Sequence, residues 1–273
     1  MTTDKLPTLG FLGGGKMATA LIQGILRADL TDASNVFVGE PLPEARDALA
    51  KATGVRVLSD NAEVVRQCRV IVLAVKPQVM DAVLSEIAPL VNANHLVISV
   101  AAGITLKQME AVLGSGVRLV RVMPNTPCLV GCGASCYALG SRATAADGEV
   151  VRKLLGAVGT VHEVPESLLD AVTGLSGSGP AFVAVVIEAL ADAGVRVGLP
   201  RPLALSLAIQ TVLGTAQLLR QSGQHPAQLK DDVASPGGTT IAGLHALEKR
   251  GLRAALMDAV EAATNRAAEL GRR

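Results

Sequence analysis

Short apolar runs alternate with helix-spaced segments through the first part of the chain. The runs are Thr8–Leu12, Asn35–Val38, Val55–Leu58, Val70–Val75, Leu96–Val100, Arg118–Met123, Ala134–Ala138 and Thr160–Val164. They have the length of strands, and most are rich in β-branched residues. Glu44–Thr53 and Gln78–Ile87, between the earlier runs, carry apolar residues at helical spacing. Strands alternating with helices predict crossover units and a mostly parallel sheet. Val70–Val75 is apolar throughout, as a strand covered on both faces should be. From about Leu168 the strand pattern stops. Ala/Leu-rich segments follow over 180–197, 202–221, 226–233 and 240–270, several of them opened by a proline, which suits a first helical turn. The pattern predicts an α/β domain over 1–165 and an all-α domain over 166–273. The helical part is so apolar that its faces are expected to bury against a second subunit as well as against each other.

Composition narrows the function classes. Of 273 residues, 49% are hydrophobic and 18% charged, so a large core is possible and disorder is not expected. A net charge of +1 and 1% aromatics give little with which to hold phosphates or stack bases, so no nucleic-acid partner is expected. No apolar run is expected to approach the ~20 residues of a membrane span. The start, Met1 to Pro7, has no apolar signal segment. The expectation is a cytoplasmic protein without a membrane partner. Cys128, Cys132 and Cys136 are evenly spaced, but no histidine is near and the paired ligand spacing is missing. With Cys68 they read as small buried residues, and no metal is expected.

Two glycine-rich turns carry the candidate chemistry. The first follows the first strand: Gly13-Gly14-Gly15-Lys16-Met17-Ala18, a G-x-G-x-x-A turn leading into helix-spaced Leu21, Ile22, Ile25 and Leu26. One glycine allows the tight turn, the next lets backbone approach a pyrophosphate, and Ala18 lets helix pack on strand. Its place between a strand and a helix pattern favours dinucleotide binding over a plain turn. The second is Ser235-Pro236-Gly237-Gly238-Thr239-Thr240-Ile241, ahead of a helix that carries Leu244 and Leu247. A glycine turn at a helix start leaves backbone N–H groups open to an anion, and a small carboxylate suits it. Between these, predicted strands end in Lys76-Pro77, Ala101-Ala102-Gly103 and Pro124-Asn125-Thr126. Three such ends on one sheet edge point to a shared cleft. His95, His162, His225 and His245 are scattered and read as structural or surface residues, and Ser176 and Ser178 lack the strand and base of a nucleophile elbow.

These motifs together resemble the pyrroline-5-carboxylate reductase family over nearly the whole chain. The resemblance rests on GFLGGGKMA, AVKPQ, SVAAGIT, RVMPNTPCLV, VTGLSGSGPAF, HPAQLKDDV and SPGGTTI. It implies a Rossmann-type domain, then a helical dimerisation domain, and NAD(P)H-dependent reduction of (S)-1-pyrroline-5-carboxylate to L-proline by a homodimer or larger homo-oligomer. It places the substrate on Glu166, Gly238, Thr239 and Thr240, with the Thr240 hydroxyl near the ring nitrogen as the catalytic group. It places the cofactor on Gly13, Gly14, Gly15, Lys16, Met17, Glu40, Asn61, Val75, Lys76, Ala102, Asn125 and Asp232. Glu40 stands where a small hydroxyl residue often accepts a 2′-phosphate, and Asp232 where an amide can occur, so the preference between NADPH and NADH stays open; an acid after the second strand favours a free ribose hydroxyl. Two other readings compete. A β-hydroxyacid dehydrogenase would have similar glycines, matched by Gly174, Gly177 and Gly179, but its catalytic lysine position holds Val183. A dinucleotide-binding protein without turnover is opposed by the loop at Ser235–Ile241.

Overall fold

The computed structural model describes residues 5–271. The chain forms two compact units. One runs up to Ser178 and takes back the C-terminal residues from Ala262; the other spans Gly179–Glu261.

Strand formation in the first unit follows the apolar runs. Its strands are β1 (Leu9–Leu12), β2 (Val36–Gly39), β3 (Arg56–Leu58), β4 (Val70–Leu73), β5 (Leu96–Ser99), β6 (Arg118–Met123), β7 (Gly133–Leu139) and β8 (Gly159–Glu163). All eight expected strands are present, with ends shifted by a residue or two. They form one sheet in the order β3-β2-β1-β4-β5-β6-β7-β8. Every pairing is parallel except β6 with β7, where Val120 lies opposite Leu139 and Met123 opposite Cys136. The order reverses direction between β1 and β4, which pair directly with Leu9 opposite Val70. A crevice for a ligand opens at such a point, beyond the carboxyl ends of the strands.

The α-helices that sit between or follow the strands of this unit are α1 (Lys16–Arg27), α2 (Pro43–Thr53), α3 (Asn61–Gln67), α4 (Met80–Ile87), α5 (Leu106–Leu113), α6 (Ala145–Gly156) and α7 (Leu169–Val172). Period-two alternation sends strand residues to two cores. Leu9, Phe11, Val36, Val38, Val70 and Val72 pack with Leu21, Ile22 and Ile25 of α1 and Val151, Leu154 and Leu155 of α6. Leu12, Phe37, Ile71, Leu73 and Val97 pack with Val64 and Val65 of α3, Leu84 and Ile87 of α4 and Met109 of α5. Sequence sets the helix starts too. Thr105 with Gln108, and Thr144 with Asp147, form reciprocal capping boxes at α5 and α6.

The second unit is helical: α8 (Gly179–Arg196), α9 (Arg201–Ser222), α10 (Pro226–Val233), α11 (Thr239–Lys249) and the first part of α12 (Leu252–Gly271). His225 has a structural role, its Nδ1 capping α10 by accepting from the Ala227 N–H at 3.2 Å. The expected single helical run over 240–270 is two helices, because Gly251 adopts φ +70 and ends the first. The expectation about membrane-length segments also needs correction. Glu166–Arg196 and Arg201–Ser222 are long and apolar enough to cross a membrane by length and composition, at mean hydropathies of 1.5 and 1.4. Their charges are sparse rather than absent, so a search for unbroken apolar runs passes over them. Much of this apolar surface is exposed on the isolated chain, including Val185, Leu207 and Leu213. The cysteines also differ from expectation: Cys68 and Cys128 are buried, Cys136 is half-buried, and Cys132 is exposed.

Asp147 ties two elements of the first unit together. Its carboxylate accepts from the Thr144 amide at 2.8 Å and from Arg118 at 2.6 Å, and it is buried. Asp147→Ala removes the cap and leaves Arg118 without its acid, so unfolding in urea at fixed protein concentration should show a loss of about 2–4 kcal/mol. A loss under about 1 kcal/mol would mean that solvent replaces both contacts.

Candidate active site

The turn after β1 is shaped by what it cannot carry. Gly13 has φ +97, and a Cβ there would lie 2.9 Å from the Ala74 carbonyl oxygen at the end of β4. Its N–H donates to Gly39 O of β2 at 2.9 Å, which joins the three central strand ends. Gly15 then begins α1 with open space where its Cβ would be, no side chain capping the helix and no acid in its first turn. The amides of Lys16, Met17 and Ala18 stand at positions that an α-helix leaves without an intrahelical partner. They form an anion cradle at the crevice between β1 and β4. The amide of Gly14 is not part of that open set, because it donates to Glu40 Oε2 at 3.1 Å. Glu40 Oε1 accepts from Leu42 N–H at 3.1 Å, so the acid at the end of β2 is held against the turn by both oxygens. Arg46 donates to the carbonyls of Glu40 and Pro41 at 3.1 and 2.8 Å and faces the same loop.

The other expected cofactor residues of this unit fall at neighbouring strand ends. Asn61 opens α3 and donates to Glu86 at 2.9 Å; its Oδ1 lies where a Cβ on Gly39 would sit, so Gly39 makes room for it. Val75 lies against Gly13, with Cγ1 3.0 Å from the position of its Cβ, and Lys76 beside it is exposed. Ala102 is exposed on the loop after β5. The next residue, Gly103, has φ +75, and its Cβ position is 3.4 Å from Leu270 of α12.

Both ends of the Asn125 amide are engaged. Its Oδ1 accepts from Ala134 N–H at 2.9 Å and its Nδ2 donates to Ser176 O at 3.1 Å, so it clasps the β6 end to β7 and to the helical segment beyond. Met123 meets the same segment at Gly177, within a π-helical turn over Thr173–Gly177. Arg121, two residues earlier on the same strand face, donates to Glu166 at 3.1 Å and to Asp170 at 3.2 Å. Glu166 Oε1 also accepts from the Leu106 N–H at 2.8 Å, at the start of α5. Sequence reasoning missed Arg121 and Asp170. An arginine amid Leu119, Val120 and Val122 was the available signal, since a buried guanidinium requires acids.

The second unit holds the other glycine turn. Gly237 has φ +67, and Gly238 occupies the N-cap of α11 with no side-chain cap and no acid in the first turn. Ser235 Oγ lies where a Cβ on Gly238 would be, so any side chain there would have to displace that hydroxyl. The Gly238 N–H donates to Ser235 O at 3.1 Å and closes the turn. The open donors are therefore the next amides, those of Thr239, Thr240 and Ile241. Asp232 is occupied within its own unit, accepting from Gln224 at 2.7 Å and Gln228 at 2.9 Å.

The strongly displaced titrations lie elsewhere. Burial pushes the Cys68 thiol up to about 12. Burial first, then its hydrogen bond to Glu163, pushes Tyr137 up to about 12. A cavity of about 740 Å3 lined by Arg69, Leu96, Arg118 and Asp147 is at the amino-terminal strand ends, away from the glycine turn. Among the described residues no group of three His, Cys, Asp or Glu is placed to hold a metal ion.

Comparison with known proteins fits this geometry. Residues 166–270 match the model for pyrroline-5-carboxylate reductase dimerisation, and residues 8–103 the model described as NADP oxidoreductase, coenzyme F420-dependent. The pyrroline-5-carboxylate reductase of Glycine max is 50% identical over 96% of each chain. The chain belongs to the pyrroline-5-carboxylate reductase family. It is therefore an oxidoreductase with an N-terminal Rossmann-type domain and a helical C-terminal region. The pyrroline-5-carboxylate reductase of Coxiella burnetii superposes with a TM-score of 0.92 at 35% identity, covering 97% of this chain and 98% of that one. The Plasmodium falciparum pyrroline carboxylate reductase, solved with NADP bound, gives 0.88 at 38% identity, covering 98% and 99%.

Proposed function

We propose that this reductase-family member converts (S)-1-pyrroline-5-carboxylate to L-proline, the last step of proline biosynthesis, with NADH or NADPH as hydride donor. The observation that carries the cofactor part is the uncapped start of α1 at the β1/β4 crevice, with Gly15 open above it. The residues fit a dinucleotide: amides from Gly15 to Ala18 for the pyrophosphate, Glu40 and Asn61 for the adenosine ribose, and Val75, Lys76 and Ala102 for the nicotinamide half. When bound, that cofactor supplies hydride to the imine carbon. Gly13 and Gly14 serve it by shaping the turn.

A cyclic imine protonates readily, and its iminium carbon then accepts hydride without a strong acid. The protein's work is mainly to orient and to exclude water. The substrate carboxylate takes the open amides at Thr239 to Ile241, the Thr240 hydroxyl serves the ring nitrogen, and Glu166 adds a substrate contact. Domain 1–165 is assigned to the cofactor and domain 166–273 to substrate and self-association. The enzyme is proposed to act as a homodimer or larger homo-oligomer, because the matched dimerisation segment carries the exposed apolar faces. A cytoplasmic setting is supported by four unpaired cysteines.

Three measurements test this reading. Thr240→Ala keeps the backbone amides, and kcat/KM for pyrroline-5-carboxylate should fall roughly ten- to a thousand-fold, with partial recovery in Thr240→Ser. Normal kinetics in folded, oligomeric Thr240→Ala protein would reassign the proton to water. The carboxylate of Glu40 should favour NADH, so Glu40→Ser should raise relative use of NADPH; an unchanged ratio in an enzyme that already prefers NADPH refutes the assignment. Light scattering should show a dimer or larger species, and an active monomer at low concentration would contradict the assembly.

A further inference from the structure

Arg121 stands in the middle of an apolar strand and is 5% exposed. A guanidinium stays charged inside a protein, and burying it is costly unless acids receive it. It donates Nη1 to Glu166 Oε1 at 3.1 Å and Nη2 to Asp170 Oδ1 at 3.2 Å. Docking of the 166–178 segment does not require this charge. Met123 against Gly177 and Asn125 on Ser176 O already fasten the same segment to β6 and to the loop that follows it. A buried ion cluster is often no more stable than well-packed apolar residues of similar size, so adhesion alone does not explain it.

What the cluster does is fix one carboxylate. Glu166 Oε1 receives two donors from two different elements, Arg121 of β6 and the Leu106 amide at 2.8 Å. The Glu166 side chain is 31% exposed and borders a cavity of about 430 Å3 with Leu139, Glu163 and Pro165. With Oε1 clamped, Oε2 has a set direction and keeps its capacity to accept a hydrogen bond. One guanidinium between two carboxylates leaves a formal surplus of one negative charge, which suits a donor or cationic group on the ligand. We propose that Arg121 is a positioning residue for the reduction, holding Glu166 in the orientation that receives substrate without itself touching substrate. The assignment rests on the reading of Glu166 as a substrate residue.

The test is steady-state kinetics of the full-length oligomer, with pyrroline-5-carboxylate and the nicotinamide cofactor varied in turn. Arg121→Lys keeps the charge and loses the two-pronged reach. It should raise KM for pyrroline-5-carboxylate roughly ten-fold while KM for the cofactor stays within about two-fold. In a Glu166→Gln background the same replacement should add less than about two-fold, because the residue it acts through is already altered. Equal effects in both backgrounds, or parallel rises in both KM values, would make Arg121 a structural residue and overturn the proposal. Normal kinetics in Arg121→Lys with impaired Glu166→Gln would overturn it and leave Glu166 standing. Normal kinetics in Glu166→Gln would instead remove the reading on which it rests. If Arg121→Lys fails to fold, Asp170→Asn loosens the guanidinium from its other side. It should then raise the same KM by a few-fold, and an unchanged KM overturns the proposal.

Discussion

The backbone turn at Gly13 is the constraint from which the cofactor end of the molecule is built. It must pass within contact distance of the Ala74 carbonyl of β4 while bonding Gly39 of β2, with φ +97. Any side chain would push β1 from β4 or force the turn outward. Because the turn is so tight, α1 begins at the point where the strand order reverses, and its unpartnered amides face the crevice. The sheet supports this arrangement from both sides, since parallel strands need cover on two faces and receive it from separate sets of helices.

The acid at Glu40 couples shape to ligand choice. Its two oxygens bond the amides of Gly14 and Leu42, so the carboxylate completes the loop at the end of β2 where the proposed ribose site lies. A phosphate arriving there meets a negative group that the fold itself holds in place. Arg46, bonded to the carbonyls of the same loop, supplies the opposing charge. On the proposed cofactor assignment, discrimination is a balance between two neighbouring side chains rather than a property of the glycine turn.

The strands were legible because alternation between buried faces is a local property of each run. The antiparallel β6–β7 pairing was not, since pairing direction depends on where the chain returns. Thr105 with Gln108 and Thr144 with Asp147 carried the starts of α5 and α6 in plain view as capping signatures. Gly251 marked the break between α11 and α12, but a lone glycine in a helical pattern is ambiguous until its φ is known. Side-chain roles were hardest to read. Asn125, Asp232 and Gly238 all had suitable chemistry, and each has a hydrogen bond already committed to a protein partner. Arg121 and Glu166 are separated by 45 positions, and only the fold brings them together.

The C-terminal part of α12 belongs to the first compact unit, where Leu270 packs beside Gly103 and the Gly271 carbonyl is 3.5 Å from the Gln108 amide. Residues 179–261 are thus an insertion in the chain order of that unit. During synthesis the ribosome releases the strands and the glycine turn long before it releases Ala262 and the residues after it. The Rossmann-type unit therefore waits, with its β5 loop unsupported, until the residues after Ala262 have left the exit tunnel. A nascent chain stalled after Glu261 would hold every residue proposed to contact the cofactor, yet lack the segment that packs on the Ala102–Gly103 loop.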